Sequence, residues 1–139
     1  MSILFSQNKD FKVRGLVLKL INTNCPALRA QIRDTRVDSR VNLAVVVVVV
    51  PLKDGQVQVE DAFATVTKDF SNTGLAMVID RPLGLEQAIL GFRMGGEMAF
   101  VRAEAKHLNP MGGDFFQLGF RLLEVVSTGD YPGLQSITI

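Results

Sequence analysis

The chain has 139 residues, of which 47% are hydrophobic and 21% are charged, and its 15 basic and 14 acidic residues give a net charge of +1. This length is typical of a single domain, and the apolar content excludes an intrinsically disordered chain. The balanced charge provides no general attraction for long nucleic acids or acidic membrane surfaces. Any anion must therefore bind to a local group of basic residues.

The only cysteine, Cys25, and the only histidine, His107, limit the chemistry that the chain can perform. One cysteine forms no internal disulfide, and these two residues cannot supply zinc with four protein ligands. The first residues lack the basic and apolar segments of an export signal, and the most apolar run, residues 43–50, is too short for a membrane helix. We therefore expect a cytoplasmic protein with no metal site, no cofactor and no inserted membrane segment.

The N-terminal part, residues 1–32, is predicted to be an extension that precedes the main domain. Within it, residues 11–21 could form an extra strand and residues 26–33 a short helix with proline in its first turn. Six consecutive valines, Val45–Val50, then predict a buried strand because β-branched side chains fit a pleated sheet. Pro51 is expected to end this strand because it lacks a backbone N–H.

Five further strand candidates follow, separated by turns rich in glycine, proline and asparagine. They cover residues 57–70, 75–79, 87–94, 98–106 and 115–126. Gly95–Gly96 predicts a tight hairpin because glycine accepts positive φ, and Asn109–Gly113 predicts another turn. Six short strands with little helical periodicity predict an all-β antiparallel barrel or sandwich over residues 33–126. The C-terminal tail, residues 127–139, is expected to add a strand or to lie loose.

Three arginines, Arg33, Arg36 and Arg40, come just before the valine strand. Arginine is costly to bury, so these residues belong in a loop or on a barrel rim. A bent loop would bring Arg36 and Arg40 onto one ligand, where guanidinium groups can grip phosphate oxygens, bind guanine O6 and N7, or stack on a base. The alternative is an ordinary solvated surface without a ligand.

A second candidate site is the segment Asp69–Gly74, with the sequence DFSNTG. It could be a simple turn in which Asp69 and Ser71 bind nearby backbone and Gly74 takes a positive φ. The same groups could also bind a ligand: the carboxylate can accept hydrogen bonds from guanine N1 and N2, Ser71 can cap a phosphate or hold the loop, and Gly74 allows close approach.

In this order, the two segments resemble the motifs of the PilZ domain family. The family pattern is RxxxR in a loop before the first barrel strand, followed by [DN]xSxxG at the end of a later strand. Here these motifs are Arg36–Arg40 (RVDSR) and Asp69–Gly74 (DFSNTG). The segment Leu118–Leu122 (LGFRL) is similar to the LGxxF-like strand that is typical of the family, with leucine in place of phenylalanine. The resemblance covers about residues 33–126.

The resemblance implies a six-stranded antiparallel PilZ-like barrel that is a non-catalytic receptor for the bacterial second messenger cyclic di-GMP. By this resemblance, Arg36 and Arg40 contact the phosphates and guanines, Asp69 contacts a guanine edge, and Ser71 and Gly74 complete the surface. Closure of the arginine loop would then pass the signal to a protein partner.

The number of ligand molecules stays open. Some family members carry a basic residue immediately before the first motif arginine, which favours a stacked pair of ligands. Thr35 occupies that position here, which favours one ligand molecule per chain. Arg33 could still reach the ligand, and it would then favour the stacked pair of ligand molecules.

Two other function classes compete with the receptor. One is a PilZ-like structural or adaptor protein that binds no nucleotide, as in family members with degenerate motifs; the intact motifs here argue against it. The other is a small enzyme, which would need its only histidine, His107, beside a nucleophile. The glycine pairs Gly95–Gly96 and Gly112–Gly113 also lack the spacing of phosphate-binding loops. We therefore expect no catalytic activity.

Overall fold

The computed structural model describes residues 2–24 and 40–139. These residues form one long helix, eight strands and two short 3-10 helices at Val59–Asp61 and Pro132–Ser136. The long elements are α1 (Ser2–Asn24), β1 (Val41–Asn42), β2 (Val46–Lys53), β3 (Gln56–Val57), β4 (Phe63–Phe70), β5 (Gly74–Ile79), β6 (Gln87–Met94), β7 (Glu97–Gly112) and β8 (Phe115–Val126).

Six of the strands form a closed antiparallel ring. Its order is β2–β4–β5–β8–β7–β6, and β6 pairs back with β2. β1 and β3 are two-residue strands that pair with the end of β4 and the end of β2. The predicted all-β, six-stranded antiparallel barrel is confirmed, and closure gives each of the six ring strands a hydrogen-bonded neighbour on both sides.

Pro51 does not end the valine strand as predicted, since β2 continues to Lys53. Pro51 pairs with Ala88 of β6, while its carbonyl accepts a hydrogen bond from the Gln58 N–H at 2.8 Å on the other side. The N–H and C=O of one strand residue point to the same side, so the missing N–H faces away from β6. The ladder between β2 and β6 therefore loses no donor at the proline.

Two other boundaries differ from the sequence prediction. Within residues 57–70 only Phe63–Phe70 joins the ring, because Val59–Asp61 forms a 3-10 turn. β7 extends to Gly112, so Asn109–Met111 is not a turn; Asn109 and Pro110 pair with β8. Proline is tolerated there because β6 pairs with β7 only as far as Glu104, which leaves this part of β7 as an edge strand.

The predicted extra strand over residues 11–21 is wrong, because these residues lie in the middle of α1. Val13, Val17, Leu20 and Ile21 are at most 2% exposed and belong to the same buried cluster as the side chains inside the barrel. Their spacing places them on one face of a helix. The short helix predicted over residues 26–33 falls outside the described residues. Among the described residues, no helix has the length and hydropathy needed to cross a bilayer.

The C-terminal tail packs on the outside of the barrel and neither adds a strand nor lies loose. Val47 and Val49 belong to the interior cluster, so the alternating Val50 side chain points outward. Leu134 of the tail is 1% exposed and shares a second cluster with Val50 and residues of β6, β7 and β8. Arg93 donates a hydrogen bond from Nε to the carbonyl of Ile139 at 2.6 Å.

Candidate functional site

The structure brings the last arginine of the RVDSR motif into contact with the first residue of the DFSNTG motif. Arg40 Nη1 lies 2.6 Å from Asp69 Oδ1 and donates a hydrogen bond to it. The arginine side chain is 53% exposed, whereas the aspartate side chain is 7% exposed. The carboxylate therefore holds a guanidinium whose remaining surface faces solvent.

Backbone pairing places Arg40 at this position. β1 follows Arg40 immediately and pairs with the end of β4, where Asn42 lies opposite Asp69 and Val41 opposite Phe70. Phe70 is fully buried and packs near Phe92, with ring centroids 6.2 Å apart. The site thus lies at the end of a strand that is anchored in the core.

Thr67 fixes the chain between β1 and β2. Its hydroxyl donates to the carbonyl of Leu43 at 2.7 Å and accepts from the N–H of Val45 at 3.0 Å. Its own N–H donates to the carbonyl of Val45 at 2.9 Å. Thr67 is 2% exposed, so these hydrogen bonds also satisfy its buried polar atoms. The segment that links Arg40 and β1 to β2 is consequently attached to β4.

A third charge lies close to the pair. Lys68 Nζ is 3.8 Å from Asp69 Oδ2, and its side chain is 44% exposed. The pairing of β4 with β5 shifts register between Thr67 and Asp69, which is a β-bulge at Lys68. Bulges redirect side chains, so Lys68 and Asp69 can lie beside each other instead of on opposite faces. One nearly buried carboxylate is therefore flanked by two exposed cations, which leaves a local positive charge at the surface.

The turn after Asp69 is closed by a hydrogen bond from the Ser71 N–H to the carbonyl of Gly74 at 2.9 Å. Gly74 itself does not have the positive φ considered from the sequence. A Cβ at this position would lie 3.0 Å from the carbonyl oxygen of Phe120 and 3.2 Å from Ser71 Oγ. Glycine is needed here because the backbones of β5 and β8 approach closely.

We expect Gly74→Ala to destabilise the protein by about 1–3 kcal/mol, the usual cost of overpacking. The Phe120 carbonyl belongs to the backbone of β8 and cannot move aside as a flexible side chain can. Gly84→Ala is the matched control, because no atom lies within 4 Å of its added Cβ, and it should change stability by less than about 0.5 kcal/mol. Urea denaturation of both variants measures the difference; equal midpoints would contradict the packing argument.

The structure thus joins Arg40 with Asp69 and places Ser71 and Gly74 in the adjacent turn. Arg36 and Arg33 lie outside the described residues, so their predicted contacts with a ligand stay predictions.

The sequence analysis missed two residues of this site, Thr67 and Lys68. Thr67 carried a signal, since a hydroxyl at a position that faces inward on a strand needs a buried partner. Lys68 carried none, because its place beside Asp69 depends on the bulge.

The residues considered for catalysis do not form a site in the described part of the chain. His107 is exposed and lies in the part of β7 that extends past its pairing with β6. Cys25 falls outside the described residues. No group of three or more His, Cys, Asp or Glu residues in the ranges 2–24 and 40–139 is arranged to hold a metal ion.

An exposed guanidinium held by a carboxylate is suited to binding an anion or a purine. Arg40 uses one of the five N–H donors of an arginine on Asp69. The others can form a bidentate pair with phosphate oxygens or with guanine O6 and N7, and the planar group can stack on a base. Lys68 adds a second positive charge, because its Nζ lies 3.8 Å from the other oxygen of the Asp69 carboxylate.

No family model matches the chain. No curated protein matches it either. Among solved structures, it is similar to the Bacillus subtilis inhibitor of motility MotI/DgrA, with 18% sequence identity and a TM-score of 0.48. That alignment covers 69% of this chain, and the chain spans 46% of the other protein's length.

Proposed function

We propose that the protein is a non-catalytic receptor that binds cyclic di-GMP through the RVDSR loop and the DFSNTG turn. The observation that supports this proposal best is the contact of Arg40 with Asp69 at 2.6 Å, which unites the two motifs at one end of the barrel. Arg36, Arg40, Asp69, Ser71 and Gly74 are the proposed ligand-binding residues, and Arg33 is the residue that would extend the site to a stacked pair of ligands.

The roles of Arg40 and Asp69 follow from their exposure. Asp69 is almost buried, so in the ligand-free protein it serves to orient the Arg40 guanidinium. A guanine bound at this surface would compete for the same carboxylate through its N1 and N2 donors, and would release Arg40 N–H groups for phosphate or for the base. Ligand binding would then exchange one hydrogen-bond donor for another, so that the nearly buried carboxylate stays hydrogen-bonded.

Signal transfer would use the backbone connection of the site. Arg40 leads through β1 directly to the hydrogen bonds at Thr67 and then to β2. In this proposal, closure of the arginine loop onto the ligand changes the surface beside β1, and a protein partner detects that change.

We expect Arg36→Ala and Arg40→Ala each to weaken cyclic di-GMP binding by about 10- to 150-fold, because a hydrogen bond to a charged group contributes roughly 1.5–3 kcal/mol. Isothermal titration calorimetry measures the affinities. Arg40→Ala removes the nearest cation from the nearly buried Asp69, so it is expected to lower stability as well. The titrations should therefore be made well below the melting temperature of each variant, where the protein is folded.

Arg81→Ala is the matched control, because Arg81 is exposed and follows β5 at the opposite end of the barrel. GTP and cyclic di-AMP serve as control ligands and should bind much more weakly than cyclic di-GMP. Parental affinity in both Arg36→Ala and Arg40→Ala would show that the site is wrong. A folded parent protein that binds no nucleotide would instead support the structural or adaptor function.

A further inference from the structure

A groove of about 950 Å³ lies on the outside of the barrel, towards the end opposite Arg40. Its floor includes Leu52 of β2, Gln87 of β6 and Arg102 of β7. Its walls are the turn of residues 53–55, the segment of residues 84–86 and Tyr131 of the C-terminal tail. The groove therefore depends on the sheet, a loop and the tail together.

The charges along the edge of this groove are predominantly negative. On its floor, Glu124 forms ion pairs with Arg102 at 2.7 Å and with Lys9 of α1 at 3.4 Å, so the charge of this carboxylate is compensated. Three exposed carboxylates at its edge, Asp54, Asp61 and Glu86, form no ion pair within the described ranges, and Lys53 is the only other basic residue of the lining. A cationic occupant would therefore meet complementary charge along the edge, and an anionic one would be repelled.

The wall of residues 84–86 also offers backbone groups. Between Pro82 and Glu86, the one backbone hydrogen bond within the described residues runs from the Ala105 N–H to the Glu86 carbonyl. The N–H and C=O groups of Leu83, Gly84 and Leu85 form no backbone hydrogen bond within the described residues, so they are available to pair with an occupant. Gly84 has no atom within 4 Å of the position of a Cβ, so the space beside it is open.

We propose that this groove binds an extended basic segment of a protein partner. The main chain of such a segment can pair with residues 83–85 as an added strand does, and its lysine or arginine side chains can reach Asp54, Asp61 and Glu86. Leu52, Leu85 and Tyr131 provide apolar surface for the side chains between them. The proposal does not depend on nucleotide binding, because the groove shares no residue with the Arg40 site.

Fluorescence anisotropy with a labelled, end-capped heptapeptide of alternating lysine and valine tests the proposal on the full chain at low salt. We expect saturable binding that a glutamate–valine heptapeptide lacks. The triple variant Asp54→Asn, Asp61→Asn, Glu86→Gln should weaken binding about 5- to 50-fold, from three exposed ion pairs. Gly84→Trp, which fills the open space without changing charge, should also weaken it.

The matched control is Asp80→Asn, Glu97→Gln, Asp114→Asn, which removes the same charge from exposed residues outside the groove. It should bind the lysine peptide as the parent does. Equal losses in the two triple variants, or no peptide binding by the parent, would overturn the proposal, as would spermidine binding as tightly as the peptide. Cyclic di-GMP titration of the groove variant is a separate measurement, so failure of one site is distinguishable from failure of the other.

Discussion

Cyclic di-GMP at one hundred times its Kd should raise the melting temperature by about 8–13 °C. A ligand that binds only the folded state adds about 2.7 kcal/mol to the free energy of unfolding at this concentration. For a chain of this length, each kcal/mol corresponds to roughly 3–5 °C, an interpolation between smaller and larger domains. Differential scanning fluorimetry at several ligand concentrations measures the shift and its dependence on concentration.

The salt dependence identifies the source of this stabilisation. Arg40 is half exposed, so its attraction to a phosphate is screened over about 8 Å at physiological ionic strength and the shift should shrink as salt is raised. The double variant Arg36→Ala, Arg40→Ala should show no shift. A folded parent protein whose melting temperature does not change at near-millimolar ligand would refute the receptor function and favour the adaptor.

Val17→Asp should prevent folding or lower stability by at least about 4 kcal/mol, a large part of the roughly 5–15 kcal/mol that holds a typical domain together. Val17 is fully buried with Val13, Leu20 and Ile21 in the cluster that fills the barrel. A carboxylate there would lose its hydration among the apolar side chains of this cluster. Circular dichroism and thermal unfolding measure the effect.

Phe11→Asp is the control for this substitution, because it introduces the same carboxylate into the same helix at a residue that is 77% exposed. It should change stability by less than about 0.5 kcal/mol. The prediction that residues 1–32 form an extension separate from a barrel of residues 33–126 is tested at the same time. If Val17→Asp were as stable as Phe11→Asp, α1 would be dispensable and that boundary would hold.

Most of the ring strands could be predicted from the sequence, because turns are encoded locally. β6 and β8 have the predicted bounds, and Gly95, with φ of 65°, lies between β6 and β7 as the glycine pair indicated. A short apolar run is less informative, since it fits a buried strand and a buried helix equally well. The spacing of Val13, Val17, Leu20 and Ile21 distinguishes the two, because it places all four side chains on one face of a helix.

The sequence by itself therefore determined the number of ring strands, the Gly95–Gly96 turn and the two motifs as candidate sites. Only the tertiary structure decided that Arg40 meets Asp69, because the pairing of β1 with β4 brings together residues separated by 29 positions. It likewise decided which side of β2 faces the tail and that α1 completes the core. Such contacts depend on closure of the whole ring, and local propensities carry no information about which distant strand becomes a neighbour.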